Sequence, residues 1–308
     1  MRVAAIDIGT NTVLLLVAEK RDDGTLVAVE EHATITRLGQ GVDKTRMLAP
    51  DAVKRTNDCL DRYAEIVKRL AATKVAVVGT SAMRDAGGGE EVRAHVKARF
   101  GVEARTISGD EEARLTFRGA LSGLPASKIG ARVVVFDIGG GSTEVVHGRP
   151  GERGDAAIAF AHSYDVGSVR LTERLVREDP PAAAEREAIT RAVADTFSSV
   201  PDLEIDAAPV GIAGTMTTLA AVSMKMTTYD GARVHGHTMT IAELERVTHE
   251  LASVPLSVRK DLPGLEPKRA DVIVAGSLVA LGLLRHVKAK EVTISDRGVR
   301  WGLAEELF

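Results

Sequence analysis

The sequence contains few aromatic residues and a single cysteine, and these shortages exclude several kinds of site. Aromatic residues make up 3% of the 308 residues, so stacking of bases on aromatic side chains is not expected as a main binding mode. The one cysteine, Cys59, cannot form an intrachain disulfide, which is typical of a reducing compartment. A zinc site is not expected, because His235 and His237 have no further histidine or cysteine nearby to complete a ligand set.

Long apolar segments are also missing. The longest apolar run, residues 272–284, has 13 residues and is too short to span a bilayer. Met1-Arg2-Val3 leads directly to Asp7, without the apolar region of a signal peptide. These features predict a cytoplasmic protein with no membrane partner. The formal net charge is −3, so a polyanionic ligand has to be bound by a local group of basic residues, and no nucleic-acid partner is expected.

Two turns that follow buried strands share one pattern. Residues 4–12 read A-A-I-D-I-G-T-N-T, and residues 133–144 read V-V-V-F-D-I-G-G-G-S-T-E. Glycines let main-chain N–H groups approach an anion closely, and hydroxyl groups add donors. Because apolar residues follow each turn, each pattern predicts a strand–turn–strand phosphate-binding loop. Two ordinary hairpins are the alternative, which the repetition of the aspartate disfavours. The predicted phosphate ligands are Gly9, Thr10, Asn11 and Thr12 in the first loop, and Gly139, Gly140, Gly141, Ser142 and Thr143 in the second.

The aspartate at the start of each loop indicates a metal ion. Asp7 and Asp137 would repel a phosphate bound beside them, unless a divalent cation such as Mg²⁺, or Mn²⁺, lies between the carboxylate and the phosphate oxygens. Neither loop has the glycine spacing of a dinucleotide site or the G-K-[ST] of a Walker loop. A third turn, with Gly214 and Thr215, opens a helix whose N-terminus is a further candidate anion site.

Two side chains near strand ends each have two interpretations. Arg84 follows a buried strand at residues 75–78, where ligands of open α/β sheets bind, so it is either a phosphate-binding arginine or a solvated surface residue. Ser108 and Glu111 have the spacing of a capping box at the start of the next helix. Glu112 is then either a partner of the helix dipole or a catalytic group.

The alternation of strands and helices, with phosphate turns at strand ends, predicts an α/β protein. The duplicated turn and a break at residues 122–128, rich in Gly, Pro and Ser, predict two domains. We place the first domain at residues 1–125, with the first loop and Glu112, and the second at residues 126–308, with the second loop. The closing helix, residues 298–308, can pack back on the first domain.

The pairing of the two loops resembles the sugar kinase, heat-shock ATPase and actin superfamily. Within it, G-T-S-A-M-R at Gly79, I-S-G-D-E-E-A-R at Ile107, G-I-A-G-T-M-T-T-L at Gly211 and S-D-R-G-V-R-W-G at Ser295 resemble the exopolyphosphatase and guanosine pentaphosphate phosphohydrolase family, over essentially the whole chain. The resemblance implies two actin-like, ribonuclease H-like domains with an active cleft between them. It also implies a homodimer with a role in the stringent response.

The resemblance further implies an activity and residue roles. The expected reaction is Mg²⁺-dependent hydrolysis of the terminal phosphate of inorganic polyphosphate. Glu112 corresponds to the catalytic base and Arg84 to the arginine of the G-T-x-x-x-R motif. Asp7, Asp137 and Glu144 correspond to the acidic residues of the loops, which position the metal. Ala213 and Trp301 depart from the family pattern, and the lack of a further C-terminal domain resembles the short, two-domain form.

Several alternatives remain open from the sequence. Hydrolysis of guanosine pentaphosphate, or binding of the tetraphosphate, could use the same loops, since nothing identifies the pocket beyond the terminal phosphate. A small-molecule kinase is disfavoured by Glu112. A non-catalytic sensor of polyphosphate or alarmones, or an actin-like filament, would not need the full set of Asp7, Arg84, Glu112 and Asp137. Basic residues that are candidates to line the path of a polymer are Arg114, Arg118, Lys128, Arg259, Lys260, Lys268 and Arg269.

Overall fold

The computed structural model describes residues 1–22, 24–151, 157–201 and 207–308. The chain divides into two compact units. The first unit contains Met1–Gly119 and Val299–Phe308, and the second contains Ala120–Gly298. Each unit has one β-sheet with helices packed on it, which confirms the predicted α/β class with two domains.

The sheet of the first unit has the strand order β3-β2-β1-β4-β5. The first three strands are antiparallel neighbours, whereas β1, β4 and β5 run parallel. Parallel strands buried on both faces are continuous apolar runs, and residues 3–6 of β1 are fully buried. The strands are β1 (Arg2–Ile8), β2 (Thr12–Lys20), β3 (Leu26–Ile35), β4 (Lys74–Gly79) and β5 (Ala104–Thr106).

The two faces of this sheet are covered by different helices. Ile6 of β1 packs in one core with Leu60 of the amphipathic helix α2, while Val3 packs in another core with Trp301 of the last helix, α14. This alternation follows from the two-residue period of a strand. The helices that contain residues of this unit are α1 (Val42–Thr45), α2 (Pro50–Arg69), α3 (Ser81–Asp85), α4 (Gly89–Phe100), α5 (Gly109–Leu121) and α14 (Val299–Glu305).

The sheet of the second unit has the order β10-β11-β9-β6-β7-β8. Strands β6, β7 and β8 are antiparallel neighbours, and β6, β9 and β11 are parallel. The added edge strand, β10, has only three residues and gives no periodic signal in the sequence. The strands are β6 (Val133–Ile138), β7 (Thr143–Arg149), β8 (Ala157–Tyr164), β9 (Ala208–Ile212), β10 (Thr238–Thr240) and β11 (Glu291–Ile294).

The long apolar segment of the sequence is the central helix of the second unit, α13 (Ile273–His286). It begins after a single 3₁₀ turn at Pro267–Arg269, and its side chains are buried around most of its circumference. A helix that is apolar all round belongs in a core. The other helices are α6 (Ala126–Ile129), α7 (Ser168–Leu175), α8 (Ala183–Phe197), α9 (Ala213–Ser223), α10 (Gly231–Val234), α11 (Ile241–Ser253) and α12 (Leu256–Arg259).

The two sheets repeat one topology. In each unit, an antiparallel meander of three strands is extended from its first strand by two parallel strands, so that β1-β2-β3-β4-β5 corresponds to β6-β7-β8-β9-β11. The duplication of the loop motif is therefore a duplication of the whole sheet, which is what the resemblance to actin-like proteins implies. None of the helices in the described part of the chain has the length and apolar character that a membrane span needs.

Candidate active site

The first predicted loop is a tight turn between β1 and β2. The strands pair up to Ile8 and Val13, and the Gly9 N–H donates to the Thr12 carbonyl oxygen at 3.0 Å. A Cβ on Gly9 would lie only 2.9 Å from that same oxygen, which is closer than a side chain tolerates. Glycine is therefore required by the turn itself.

The second predicted loop repeats this turn between β6 and β7. Ile138 pairs with Thr143, and the Gly139 N–H donates to the Ser142 carbonyl oxygen at 3.0 Å. A Cβ on Gly139 would be 3.2 Å from the Ser142 oxygen. Both loops are thus strand–turn–strand units with one hydrogen-bond pattern, as the repeated sequence predicts.

The N-terminus of α7 holds the second loop in place. The Ser168 N–H and hydroxyl donate to the Gly139 carbonyl oxygen at 3.0 and 3.2 Å. The N–H groups of Val169 and Arg170 donate to the Gly140 carbonyl oxygen at 2.9 and 3.0 Å. The Arg170 side chain donates from Nε to the Gly141 carbonyl oxygen at 2.7 Å.

These bonds fix the direction of the loop amides. In a trans peptide the carbonyl and the following N–H point to opposite sides. Because the protein holds the carbonyls of residues 139–141 on one side, the N–H groups of Gly140, Gly141 and Ser142 point to the other. Successive N–H groups on one side form the kind of nest that binds an anion.

The first loop is held by the segment that follows β3. The Gly39 N–H donates to the Thr10 carbonyl oxygen at 2.8 Å, and the N–H groups of Thr36 and Arg37 donate to the Asn11 carbonyl oxygen at 3.1 and 3.0 Å. The same peptide geometry directs the Asn11 and Thr12 N–H groups away from this segment. In both units, the chain that leaves the third strand therefore turns back to support the loop.

Several of the predicted hydroxyl ligands make structural hydrogen bonds. The Thr143 hydroxyl donates to the Val166 carbonyl oxygen at 2.6 Å, and the Thr10 and Ser81 hydroxyls lie 2.7 Å apart. A hydroxyl has a single proton to donate, so any contribution of Thr143 to phosphate binding has to come from its backbone.

The third turn joins β9 to α9 at the end of the strand next to β6. Its Thr215 hydroxyl donates to the Ile138 carbonyl oxygen at 2.9 Å, which ties this turn to the second loop. Gly214 packs against the Arg269 guanidinium so closely that a Cβ there would overlap it. Burial lowers the pKa of Arg269 from its ordinary value. Ala213 has φ +64°, a left-handed conformation that favours glycine over alanine.

The acidic residues of the second loop lie side by side. Asp137 and Glu144 are direct partners in the antiparallel β6–β7 ladder, where opposite residues project from the same face. Glu144 is 1% exposed and accepts a hydrogen bond from the Ser163 hydroxyl at 2.6 Å. In the first unit Asp7 is paired with Leu14 instead.

The described residues contain no group of three or more His, Cys, Asp or Glu side chains that could hold a metal ion. The pair Asp137 and Glu144 nevertheless fits Mg²⁺, which binds through one or two carboxylates and retains water and phosphate oxygens as its other ligands. Two neighbouring carboxylates, one of them buried, also favour a cation, because burying negative charge without compensation is costly.

Arg84 and Glu112 form an ion pair in the first unit. The Arg84 Nη1 atom lies 3.0 Å from Glu112 Oε2 and 3.3 Å from the Ile107 carbonyl oxygen, and Arg84 Nε lies 3.5 Å from Asp85. Glu112 is 6% exposed. Arg84 is on α3 and Glu112 is in the first turn of α5, so neither is a freely solvated residue.

The capping prediction next to Glu112 is confirmed in part. The Ser108 hydroxyl accepts the Glu111 N–H at 3.1 Å. The Glu111 carboxylate, however, pairs with Arg105 at 2.6 Å. Glu111 is therefore a surface residue, whereas Glu112 points into the protein beside Arg84.

Each unit gathers its predicted residues at one edge of its sheet. In the first, Thr80 N–H donates to the Ile8 carbonyl and Ile107 N–H to the Gly79 carbonyl, so the first loop, α3 and α5 follow three adjacent parallel strands. In the second, the second and third turns follow the adjacent strands β6 and β9. Carboxyl ends of parallel strands are the usual ligand position in α/β sheets.

The basic residues predicted to line the path of a polymer differ in exposure and in their partners. Arg259 is 2% exposed and donates to three backbone carbonyls, those of Leu251, Val254 and Ala270, so it is a structural residue and that prediction is wrong. Arg118 lies within 4 Å of Glu305 and Glu306. Arg114, Lys260 and Lys268 are exposed, and Lys128 donates to the Thr238 hydroxyl at 2.7 Å.

Comparison with known proteins identifies the family of this chain. The model of the Ppx/GppA phosphatase family matches residues 16–307. The chain belongs to the Ppx/GppA phosphatase family. Exopolyphosphatase 2 of Mycobacterium tuberculosis is 39% identical, over 99% of this chain and 98% of its own length.

Solved structures of the Ppx/GppA family share the fold. The crystal structure of an exopolyphosphatase-like protein has a TM-score of 0.90 and 30% identity, over 99% of this chain and 97% of that one. The Ppx/GppA family member of Aquifex aeolicus has a TM-score of 0.82 and 31% identity, over 100% of this chain and 97% of that one. The family and the two-domain actin-like fold expected from the sequence motifs are thus confirmed.

Sequence reasoning missed the residues that support the loops. Ser81, Gly167, Ser168 and Arg170 all contact a loop or a residue of one. The G-S-V-R segment at residues 167–170 marks the start of a helix after the third strand of the second unit, but it does not identify the loop as the partner of that helix.

Proposed function

We propose that this member of the Ppx/GppA family is an exopolyphosphatase that hydrolyses the terminal phosphate of inorganic polyphosphate. The observation that carries the proposal is the ion pair between Arg84 Nη1 and Glu112 Oε2, which are 3.0 Å apart. This pair lies at the same edge of the sheet as the first loop. The 39% identity to exopolyphosphatase 2 of Mycobacterium tuberculosis over nearly the full chain supports the same substrate.

In the proposed reaction, backbone N–H groups of the loops bind oxygens of the terminal phosphates. Glu112 accepts a proton from a water molecule whose oxygen attacks the terminal phosphorus. The anhydride bond to the rest of the polymer breaks, so that orthophosphate and a polyphosphate one unit shorter are released. Arg84 offsets the negative charge of the reacting phosphoryl group, because positioning and electrostatic stabilisation dominate phosphoryl transfer.

Asp137 and Glu144 would hold Mg²⁺ in this proposal. When bound, the ion neutralises phosphate charge and polarises the phosphoryl group. Their cross-strand pairing and the burial of Glu144 support this assignment. A further contribution from Asp7, a homodimer, a cytoplasmic location and a role in the stringent response stay predictions from the sequence.

Phosphate release tests the proposal. Medium-length polyphosphate, guanosine pentaphosphate and ATP are compared at matched concentrations, each with Mg²⁺ and with EDTA. We expect Mg²⁺-dependent release that is fastest from polyphosphate. Faster release from guanosine pentaphosphate would make the nucleotide the substrate, and binding of polyphosphate without release from any of the three would indicate a sensor.

A further inference from the structure

Arg170, on α7, contacts the second loop and has no role in the proposed reaction. The residue is 9% exposed and lies on the third position of α7. Its Nε donates to the Gly141 carbonyl oxygen at 2.7 Å, and one terminal nitrogen lies 3.5 Å from the carboxylate of the exposed Asp165. Arginine is rarely buried without a specific partner, and the partner of the Arg170 side chain is the backbone of the second loop.

The Gly141 carbonyl differs from the corresponding carbonyl of the first loop. There, the Asn11 carbonyl oxygen accepts two backbone N–H groups, those of Thr36 and Arg37. In the second loop the Gly141 carbonyl oxygen is held by a side chain, Arg170. A substitution can therefore remove this hydrogen bond without moving the backbone of α7.

The loop sequence makes this bond important. Glycine has wide conformational freedom, and Gly139, Gly140 and Gly141 are consecutive. If the peptide between Gly141 and Ser142 rotated, its carbonyl oxygen would replace the Ser142 N–H on the side that faces a phosphate. An oxygen there would repel the anion, whereas the N–H attracts it.

We propose that Arg170 is a positioning residue for phosphate binding and hydrolysis, and that it acts through the hydrogen bond from Nε to the Gly141 carbonyl. This inference rests on the proposed function of the second loop. The charge of the guanidinium is not the essential feature, since the bond from Nε is what sets the direction of the Ser142 N–H.

Two substitutions separate the hydrogen bond from the charge. In Arg170→Gln, the side-chain amide nitrogen is reached through the same number of bonds as Nε, so a donor is retained while the charge is lost. In Arg170→Lys, a methylene group occupies the Nε position, so the charge is retained and the N–H donor at that position is lost. Arg170→Ala removes both.

The measurement compares kcat and KM for polyphosphate hydrolysis in wild type and the three variants, with melting temperature as the fold control. We expect Arg170→Ala and Arg170→Lys to lower kcat/KM by about 10- to 100-fold, since a hydrogen bond from a charged donor is lost. Arg170→Gln should remain within about threefold of wild type. Arg191→Ala is the matched control, because Arg191 is an exposed arginine of α8 whose side chain lies near Glu187 on the same helix. It should be indistinguishable from wild type.

Wild-type activity in Arg170→Lys but not in Arg170→Gln would overturn the proposal, since the charge would then be what matters. Unchanged kcat and KM in Arg170→Ala and Arg170→Lys, with only the melting temperature lowered, would also overturn it and leave a structural role. If Arg170→Ala does not fold, the comparison of Arg170→Gln with Arg170→Lys decides.

The affinity for tripolyphosphate, measured by calorimetry in the same variants, tests the inference separately from the proposed function. If the wild type binds tripolyphosphate but does not hydrolyse polyphosphate, only the proposed function is refuted. The inference then still requires Arg170→Gln to bind tripolyphosphate more tightly than Arg170→Lys does.

Discussion

Replacement of Glu112 by glutamine is the sharpest test of the proposed chemistry. Glutamine keeps the size of the side chain and can remain next to Arg84, but it cannot accept the proton of the attacking water. A positioned general base contributes about 10²- to 10⁴-fold to turnover, which corresponds to about 3 to 5 kcal/mol of activation free energy. We therefore expect kcat for phosphate release from polyphosphate to fall by that factor.

The affinity for polyphosphate should change little in this variant. The backbone N–H groups of the loops are the proposed phosphate ligands, and Glu112 lies on α5, outside both loops. Removing a negative charge 3.0 Å from Arg84 is expected to strengthen binding of a polyanion slightly rather than weaken it. Binding is measured by calorimetry with the polymer, and phosphate release by a colorimetric assay under saturating substrate.

Glu111→Gln provides a matched control one residue away. The Glu111 side chain is 36% exposed and pairs with Arg105, and an exposed ion pair contributes only about 0–1 kcal/mol to stability. This variant should keep wild-type turnover. The reasoning is refuted if Glu112→Gln retains more than about a tenth of kcat, which is outside the range expected for a base, or if Glu111→Gln loses as much activity as Glu112→Gln.

Three further predictions concern the packing of single residues. Gly167→Ala places a Cβ in overlap with the Gly140 carbonyl and should lower the free energy of unfolding in urea by about 1–3 kcal/mol; a neutral effect would contradict the close packing of α7 on the loop. Ala213→Gly relieves the left-handed φ of +64° and should stabilise the protein by up to about 1 kcal/mol in the same assay. Burial raises the pKa of the Cys59 thiol, so its reactive thiolate stays scarce until a pH above the usual range, and alkylation followed by mass spectrometry should be at least ~10-fold slower in folded than in unfolded protein.

The loops could be predicted from the sequence because their geometry depends on local features. An apolar run that ends at aspartate and glycine, followed by a second apolar run, allows few conformations other than a strand–turn–strand unit. Repetition of the pattern then predicted a duplicated architecture, and both sheets have the same order. The sequence pattern of α2 is equally informative: an apolar or small residue recurs every three or four positions, at Val53, Thr56, Leu60, Tyr63, Val67 and Leu70, and all but the partly buried Leu70 are buried.

The supporting contacts could not be predicted, because they join segments that are distant in the chain. Arg170 contacts Gly141, which lies 29 positions earlier, and Ser81 contacts Thr10 across 71 positions. A serine or an arginine in a turn has no sequence feature that identifies its partner. Arg259 illustrates the opposite error, because as a basic residue it was a candidate to line the path of a polymer, yet its guanidinium donates to carbonyl oxygens inside the second unit.

The two loops share a backbone but not their side-chain chemistry, and the difference has a consequence for the metal. In each unit the aspartate before the turn is paired across the ladder with a residue of the following strand, which is Glu144 in the second unit and Leu14 in the first. Within the described residues, the second loop therefore offers two adjacent carboxylates and the first loop offers one. Since Mg²⁺ is held by one or two carboxylates together with water and phosphate oxygens, the second loop would be the better site for the ion that the proposed reaction needs. The first unit supplies Glu112 and Arg84 instead. In the proposed reaction, the two units therefore contribute loops with the same backbone turn but different side chains.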